Sequence, residues 1–179
     1  AYTEDIGNDG SFYPEISGNG KWVVFESEAT NLSEQSTSGR QIFLWNTFDN
    51  KITLVSNRAG ATDGGNGESR RASISENGER VVFESDASNL ISDDNNSHTD
   101  VFLYDTKDSG ITLLSKSIKG NLPNDASDQA KISGDGKFVT FRSKATNIIE
   151  GKGISYVSVI SGGVGYFGTP TITVSDIGG

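Results

Sequence analysis

The sequence predicts an all-β fold of four-stranded antiparallel sheets packed face to face, and three observations predict it. A 17-residue segment occurs three times, starting at Ile16, Ile74 and Ile132, with a spacing of 58 residues both times. Each copy carries an Asn-Gly or Asp-Gly dipeptide between short apolar runs. The 179 residues include 22 Gly, 3 Pro and 33% hydrophobic residues, which suits short strands joined by polar turns and argues against a helical bundle.

The repeats read ISGNGKWVVFESEATNL, ISENGERVVFESDASNL and ISGDGKFVTFRSKATNI, with 12 of 17 positions shared by the first two and 11 of 17 by the first and third. A strand ending in Ile-Ser meets the turn at Asn19-Gly20, Asn77-Gly78 or Asp135-Gly136. Such a dipeptide tolerates positive φ at both central positions of a tight hairpin. The next strand runs Trp22 to Glu26, Arg80 to Glu84 and Phe138 to Arg142. Val23 and Phe25 point to one side of it, Trp22 and Val24 to the other, so both faces are apolar and the strand belongs inside a stack of sheets. QIFLWN and DVFLYD supply a third strand, KITLVS and GITLLS a fourth. A four-stranded sheet cannot bury both faces alone; stacked around an axis, such sheets make a β-propeller.

The Ile-Ser-x-Asn/Asp-Gly turn, the following Ser-x-Ala-Ser/Thr-Asn string and the DVFLYD strand resemble TolB-type propeller repeats of periplasmic and secreted bacterial proteins over roughly residues 7–149. The resemblance implies a propeller with a binding or scaffolding role, and no single activity, because propellers host many functions.

The repeat divides the chain into a propeller segment, 1–149, with two complete blades and part of a third, and a Gly-rich tail, 150–179. Propellers close with about four to eight blades. The expectation is therefore an open stack, or one completed by more of a longer chain, by a second copy or by another partner. The lack of any Met implies a processed or excised segment. In the tail, the alternation around Ser155–Ser161 and Thr169–Ser175 predicts a β-hairpin. Its Gly-Gly-x-Gly-Tyr string resembles a short module of secreted and viral surface proteins. These strands are candidates to replace the missing outer strands of the third blade or to pair with a neighbouring subunit.

Composition excludes several classes. Without Cys there is no disulfide, thiol nucleophile or thiolate metal site, and with one His there is no two-histidine mechanism. A net charge of -9 opposes nucleic-acid binding. No apolar run approaches the roughly 18 residues of a membrane span. The acidic, Ser/Thr/Asn/Gly-rich composition points to an extracellular, cell-surface or periplasmic setting.

In the loop SDDNNSHTD, Asp94, Asn96 and Asp100 form a candidate calcium site, since hard cations take carboxylate, amide and backbone oxygens. The competing reading is an acidic turn that bonds its own backbone. Asn31, Asn89 and Asn147 recur once per blade and read as turn or cap residues; Asn31 and Asn95 also open glycosylation acceptor triplets. His98 lies in a polar loop without a G-x-S-x-G elbow, which gives no triad. Glu26 and Glu84 recur, with Arg142 in their place in the third blade, and read as solvated or salt-linked. Trp22, Trp45, Tyr104 and Phe138 read as packing between blades before sugar stacking. Arg70-Arg71 and Lys116–Lys119 read as solvated surface.

The function expected from sequence is a non-enzymatic, exported structural or interaction protein. Its partners would be other proteins or copies of itself, joined in part by strand addition. The alternatives are a calcium-assisted glycan- or peptidoglycan-binding module and a propeller appendage of a larger hydrolase. No catalytic residue and no cofactor other than calcium is expected.

Overall fold

A computed structural model describes residues 7–34, 37–148 and the strand at 157–160. Two four-stranded antiparallel sheets follow the repeat. The first is β1 (Ser11–Ile16), β2 (Trp22–Ser27), β3 (Gln41–Asn46) and β4 (Lys51–Leu54); the second is β5 (Ser69–Ile74), β6 (Arg80–Ser85), β7 (Asp100–Asp105) and β8 (Ile111–Leu113). A third sheet pairs β9 (Ser127–Ile132) with β10 (Phe138–Ser143), and β10 with β11 (Val157–Ile160). The fold class read from sequence is therefore correct, and among the described residues the sheets do not close into a ring.

β11 pairs antiparallel with β10, from Phe138 opposite Ile160 to Phe141 opposite Val157. It takes the place that β3 and β7 hold in the other sheets, one of the two placements open to the tail strands. The rest of the tail hairpin lies outside the described residues.

The turns differ in detail from the expected geometry. Ser17 accepts from the Gly20 N–H at 2.9 Å, and only the glycine is left-handed, at φ 68, 71 and 71° for Gly20, Gly78 and Gly136. The Asn or Asp before it stays at negative φ because its side chain has other work. Asn19 Oδ1 accepts from Ser17 Oγ and from the Lys21 N–H, and Asn77 and Asp135 repeat the pattern. The Ser of the Ser-x-Ala string pairs with the first residue of its own sheet, Ser27 with Ser11, Ser85 with Ser69 and Ser143 with Ser127, at 2.9 Å each.

Two apolar layers hold the sheets together. Val24, Ile42 and Leu44 of the first sheet meet Val81, Phe83, Phe102 and Tyr104 of the second. On its other face, Val82, Val101 and Leu103 meet Val139 and Phe141 of the third. Each such side chain, fully buried, contributes roughly 1.5–3 kcal/mol. Contacts between sheets concentrate on the first two strands of each and spare β4 and β8, so the sheets converge at β1, β5 and β9 and splay outward as blades.

Candidate functional site

The converging edges form a groove of about 830 Å³ lined by Tyr13, Pro14, Glu15, Arg71, Gln129 and Lys131, with Glu26, Arg40 and Arg70 behind them. The sequence origin of this surface is a bulge in each inner strand. Register slips between Phe12 and Glu15, between Arg70 and Ser73, and between Thr140 and Arg142 where β10 meets β9. At the bulge Tyr13, Arg71 and Gln129, spaced by 58 residues, take left-handed backbone with φ of 50, 52 and 56°. For residues other than glycine that costs roughly 1–2 kcal/mol each, so something must hold them there.

For Arg71 and Gln129 a carboxylate from the preceding blade does so. Glu26 Oε1 accepts from the Arg71 N–H at 2.6 Å, and Glu84 Oε1 accepts from the Gln129 N–H. Both glutamates are buried. Glu84 is also paired with Arg71 Nη1 at 3.0 Å, and Glu26 with Arg40 Nη1 at 3.5 Å. Burial is the largest influence on the Glu84 carboxyl and pushes it above the ordinary range, against the Gln129 amide and the Arg71 charge. The solvated reading of Glu26 and Glu84 is thus corrected: they are salt-linked, and they bolt one blade to the next.

Other groove charges also have partners. Arg70 pairs with Asp86 at 2.6 Å, and Lys131 reaches Glu15 at 3.7 Å, joining the third blade to the first. Glu15 accepts from Ser73 Oγ and from the Ile74 N–H. Arg142 is bound by Asp128 in its own blade. Arg70 and Arg71 therefore line the groove, where the sequence suggested only solvated surface. Lys116 and Lys119 are exposed, as read.

The asparagines are structural. Asn31, Asn89 and Asn147 each accept from the backbone N–H of an Asn 23 residues earlier, pinning the loop that leads into their own blade. Trp22 packs on Gly78, where an added Cβ would lie 2.1 Å from its Cδ1. Trp45 is half-buried, Tyr104 is buried, and Phe138 is exposed.

The loop of Asp94, Asn96 and Asp100 lies away from the groove. Asn96 Nδ2 donates to Asp100 Oδ2 at 2.8 Å and to the Pro123 carbonyl at 3.3 Å, while Asn96 Oδ1 accepts from the His98 N–H at 2.9 Å. Ser115 Oγ donates to Asp100 Oδ1 at 2.6 Å. Burial raises both Asp94 and Asp100 above the ordinary carboxylate range. Among the described residues no three His, Asp or Glu side chains gather to hold a metal.

No family model and no curated protein matches the chain. Solved structures do. They include the tricorn protease, at 15% identity over 81% of this chain and 12% of that one, with a TM-score of 0.50. A structure of two prolyl endopeptidases gives 10% identity over 93% and 22%, with a TM-score of 0.51. A dihydro-heme d1 dehydrogenase gives 13% identity over 91% and 28%, with a TM-score of 0.50. The tricorn protease and the prolyl endopeptidases are β-propeller proteins, which supports the propeller fold. This chain spans between about an eighth and just over a quarter of those chains. The expectation of a non-enzymatic protein is overturned by these likenesses, because blades of this kind occur within enzymes. One fold carries many functions, so the lack of a triad in the sequence could not decide the matter. Among the described residues no helix is long and apolar enough to cross a membrane.

Proposed function

We propose that the chain supplies TolB-type blades to a β-propeller within a larger protein, where the axial groove receives an extended polypeptide for a hydrolytic domain outside these residues. The groove carries this reading. It is about 830 Å³ and bordered by β1, β5 and β9, each the edge strand of its sheet. Edge strands offer backbone donors and acceptors to an extended peptide. Arg71 and Lys131 stand beside Glu15, which suits a chain of mixed charge, and exposed Tyr13 with Pro14 adds an apolar step. The similar solved structures named as a protease and as prolyl endopeptidases support a peptide as the guest. The acidic, Ser/Thr/Asn/Gly-rich composition supports an exported setting. Placing a photoreactive side chain at Tyr13 and irradiating with a mixed peptide pool tests the idea. Adducts competed away by unlabelled peptide are expected; a groove that captures no peptide at any concentration sinks it.

A second reading, a scaffold joined through its blade faces, has its own observation. Ile16 is 62% exposed, whereas Ile74, its counterpart in the second blade, is 6% exposed because the first blade covers it. Val23, Phe25 and Trp45 are likewise less buried than Val81, Phe83 and Tyr104. The cover that fits is a blade with an acidic residue at the Glu26 position, able to accept from the Tyr13 amide. The third blade of a second copy presents Arg142 there, so identical chains stacked head to tail would set a guanidinium against that N–H. Analytical ultracentrifugation of the chain alone, expected to show no head-to-tail oligomer, checks this; concentration-dependent filaments would overturn it.

A further inference from the structure

We propose that the loop between β6 and β7 binds a calcium ion through Asp94, Asn96, Asp100 and the carbonyl oxygen of Pro123, independently of any peptide in the groove. The argument comes from comparing two blades at one position. In the first blade Gln41 is buried, and its Nε2 donates to the carbonyls of Ser38, Gly65 and Gly67 at 3.1, 3.3 and 3.0 Å. Its Oε1 accepts from Ser56 Oγ at 2.6 Å. In the second blade Asp100 replaces Gln41, Ser115 replaces Ser56, and Pro123 stands where Gly65 did. The exchange removes an amide with two N–H donors and puts a carboxylate in its place, next to the Asn96 amide that also holds the Pro123 carbonyl.

The amide of Asn96 returns the two N–H donors, one to Asp100 and one to the Pro123 carbonyl. Asp94 then adds a second carboxylate. It is 7% exposed, and its Oδ1 is buried without a hydrogen-bond partner. Asp94 and Asp100 lie close enough for the charge of one to act on the other. An orphaned buried carboxylate oxygen is costly, and acceptors here outnumber donors. A hard divalent cation answers that imbalance, because calcium takes six to eight oxygens at once from carboxylates, amide and backbone carbonyls and water.

Calcium binding requires the Asn96 amide to turn over, giving its oxygen to the ion and giving up the hydrogen bond from His98. Two carboxylates are few for such a site, which places its dissociation constant at about 10⁻⁴–10⁻³ M, in the range of extracellular calcium modules. The first blade has Gln41 with its own donors and needs no ion.

Calorimetric titration and thermal melts of the intact chain, stripped with chelator, are the test. Addition of CaCl₂ to 10 mM should release heat and raise Tm by roughly 4 °C or more, with little effect from MgCl₂ at the same concentration. Asp94→Asn should abolish the calcium response. Should that variant fail to fold, calcium-induced amide shifts in the unaltered chain decide, and they should centre on residues 93–100 and 124. No heat and no Tm shift in the unaltered chain, a response that survives Asp94→Asn, or amide shifts centred elsewhere would each overturn the proposal.

Discussion

The carboxylate of Glu84 reaches out of its own blade to accept a hydrogen bond from the backbone N–H of Gln129, in the left-handed bulge of the next inner strand. One repeat earlier, Glu26 does the same for Arg71. The contact is both packing and site architecture. It fixes the angle between neighbouring blades and holds the residues that line the groove.

Glu84→Ala should therefore destabilise the chain by roughly 1–3 kcal/mol, the usual cost of leaving a polar group without its partner; Arg71, whose side chain is 57% exposed, adds little because water replaces the carboxylate. The Gln129 amide would lose its acceptor while its backbone stays strained. Glu84→Gln keeps an acceptor oxygen and should cost clearly less. Urea denaturation of both variants checks this; equal losses would show that the charge, and not the acceptor, matters.

The same carboxyl gives a pH signature. Burial raises Glu84 in the folded chain, so above the ordinary Glu value of about 4.3 the folded chain keeps a proton that the unfolded chain has released. Stability from this group falls as pH rises through that window and is level beyond the folded value. Asp128 behaves oppositely, because the hydrogen bond and charge of Arg142 lower it. Its contribution is present above the unfolded value and lost as pH falls through the folded one. Urea midpoints measured across pH should show Glu84→Gln flattening the upper limb and Asp128→Asn the lower; exchanged effects would refute the assignment.

Why the first of these features escaped the sequence is instructive. The Asn-Gly and Asp-Gly turns, the doubly apolar second strands and the Ser-x-Ala strings are local patterns, and all were legible. The bulge was not, because the residues at its centre are Tyr13, Arg71 and Gln129, which share neither size nor charge. Their left-handed backbone is imposed from another blade, through a bond to a main-chain N–H that leaves no mark on residue type. The visible trace was the recurrence of Glu26 and Glu84 on the face that meets the next blade, beside Val24 and Val82. A charge recurring on an apolar face needs a buried partner. The correspondence of Gln41 with Asp100 was legible, because QIFLWN and DVFLYD align; the contact of Asn96 with the Pro123 carbonyl was not, because it joins two separate loops.

Two glycines separate backbone strain from contact between blades. Gly20 and Gly78 have nearly equal φ, 68 and 71°, but an added Cβ meets nothing within 4 Å at Gly20 and Trp22 Cδ1 at 2.1 Å at Gly78. Gly20→Ala should cost roughly 1–2 kcal/mol from the backbone alone. Gly78→Ala should cost a further 1–3 kcal/mol or so for displacing the indole. Equal losses in urea denaturation would mean that Trp22 moves aside freely.

The two isoleucines of the Ile-Ser motif give the last test, because the sequence treats them alike and the structure does not. Ile74 is buried between the first and second blades, while Ile16 is open to solvent on the first. Truncating a buried isoleucine costs roughly 2–5 kcal/mol, whereas an exposed one usually falls within about 0.5 kcal/mol. In this chain alone Ile74→Ala should therefore shift the urea midpoint strongly and Ile16→Ala scarcely at all. Attached to a further blade that covers β1, Ile16 would acquire the surroundings of Ile74, and Ile16→Ala should then become nearly as costly. A variant at Ile16 that stays silent in such an extended chain would mean that no blade packs on that face.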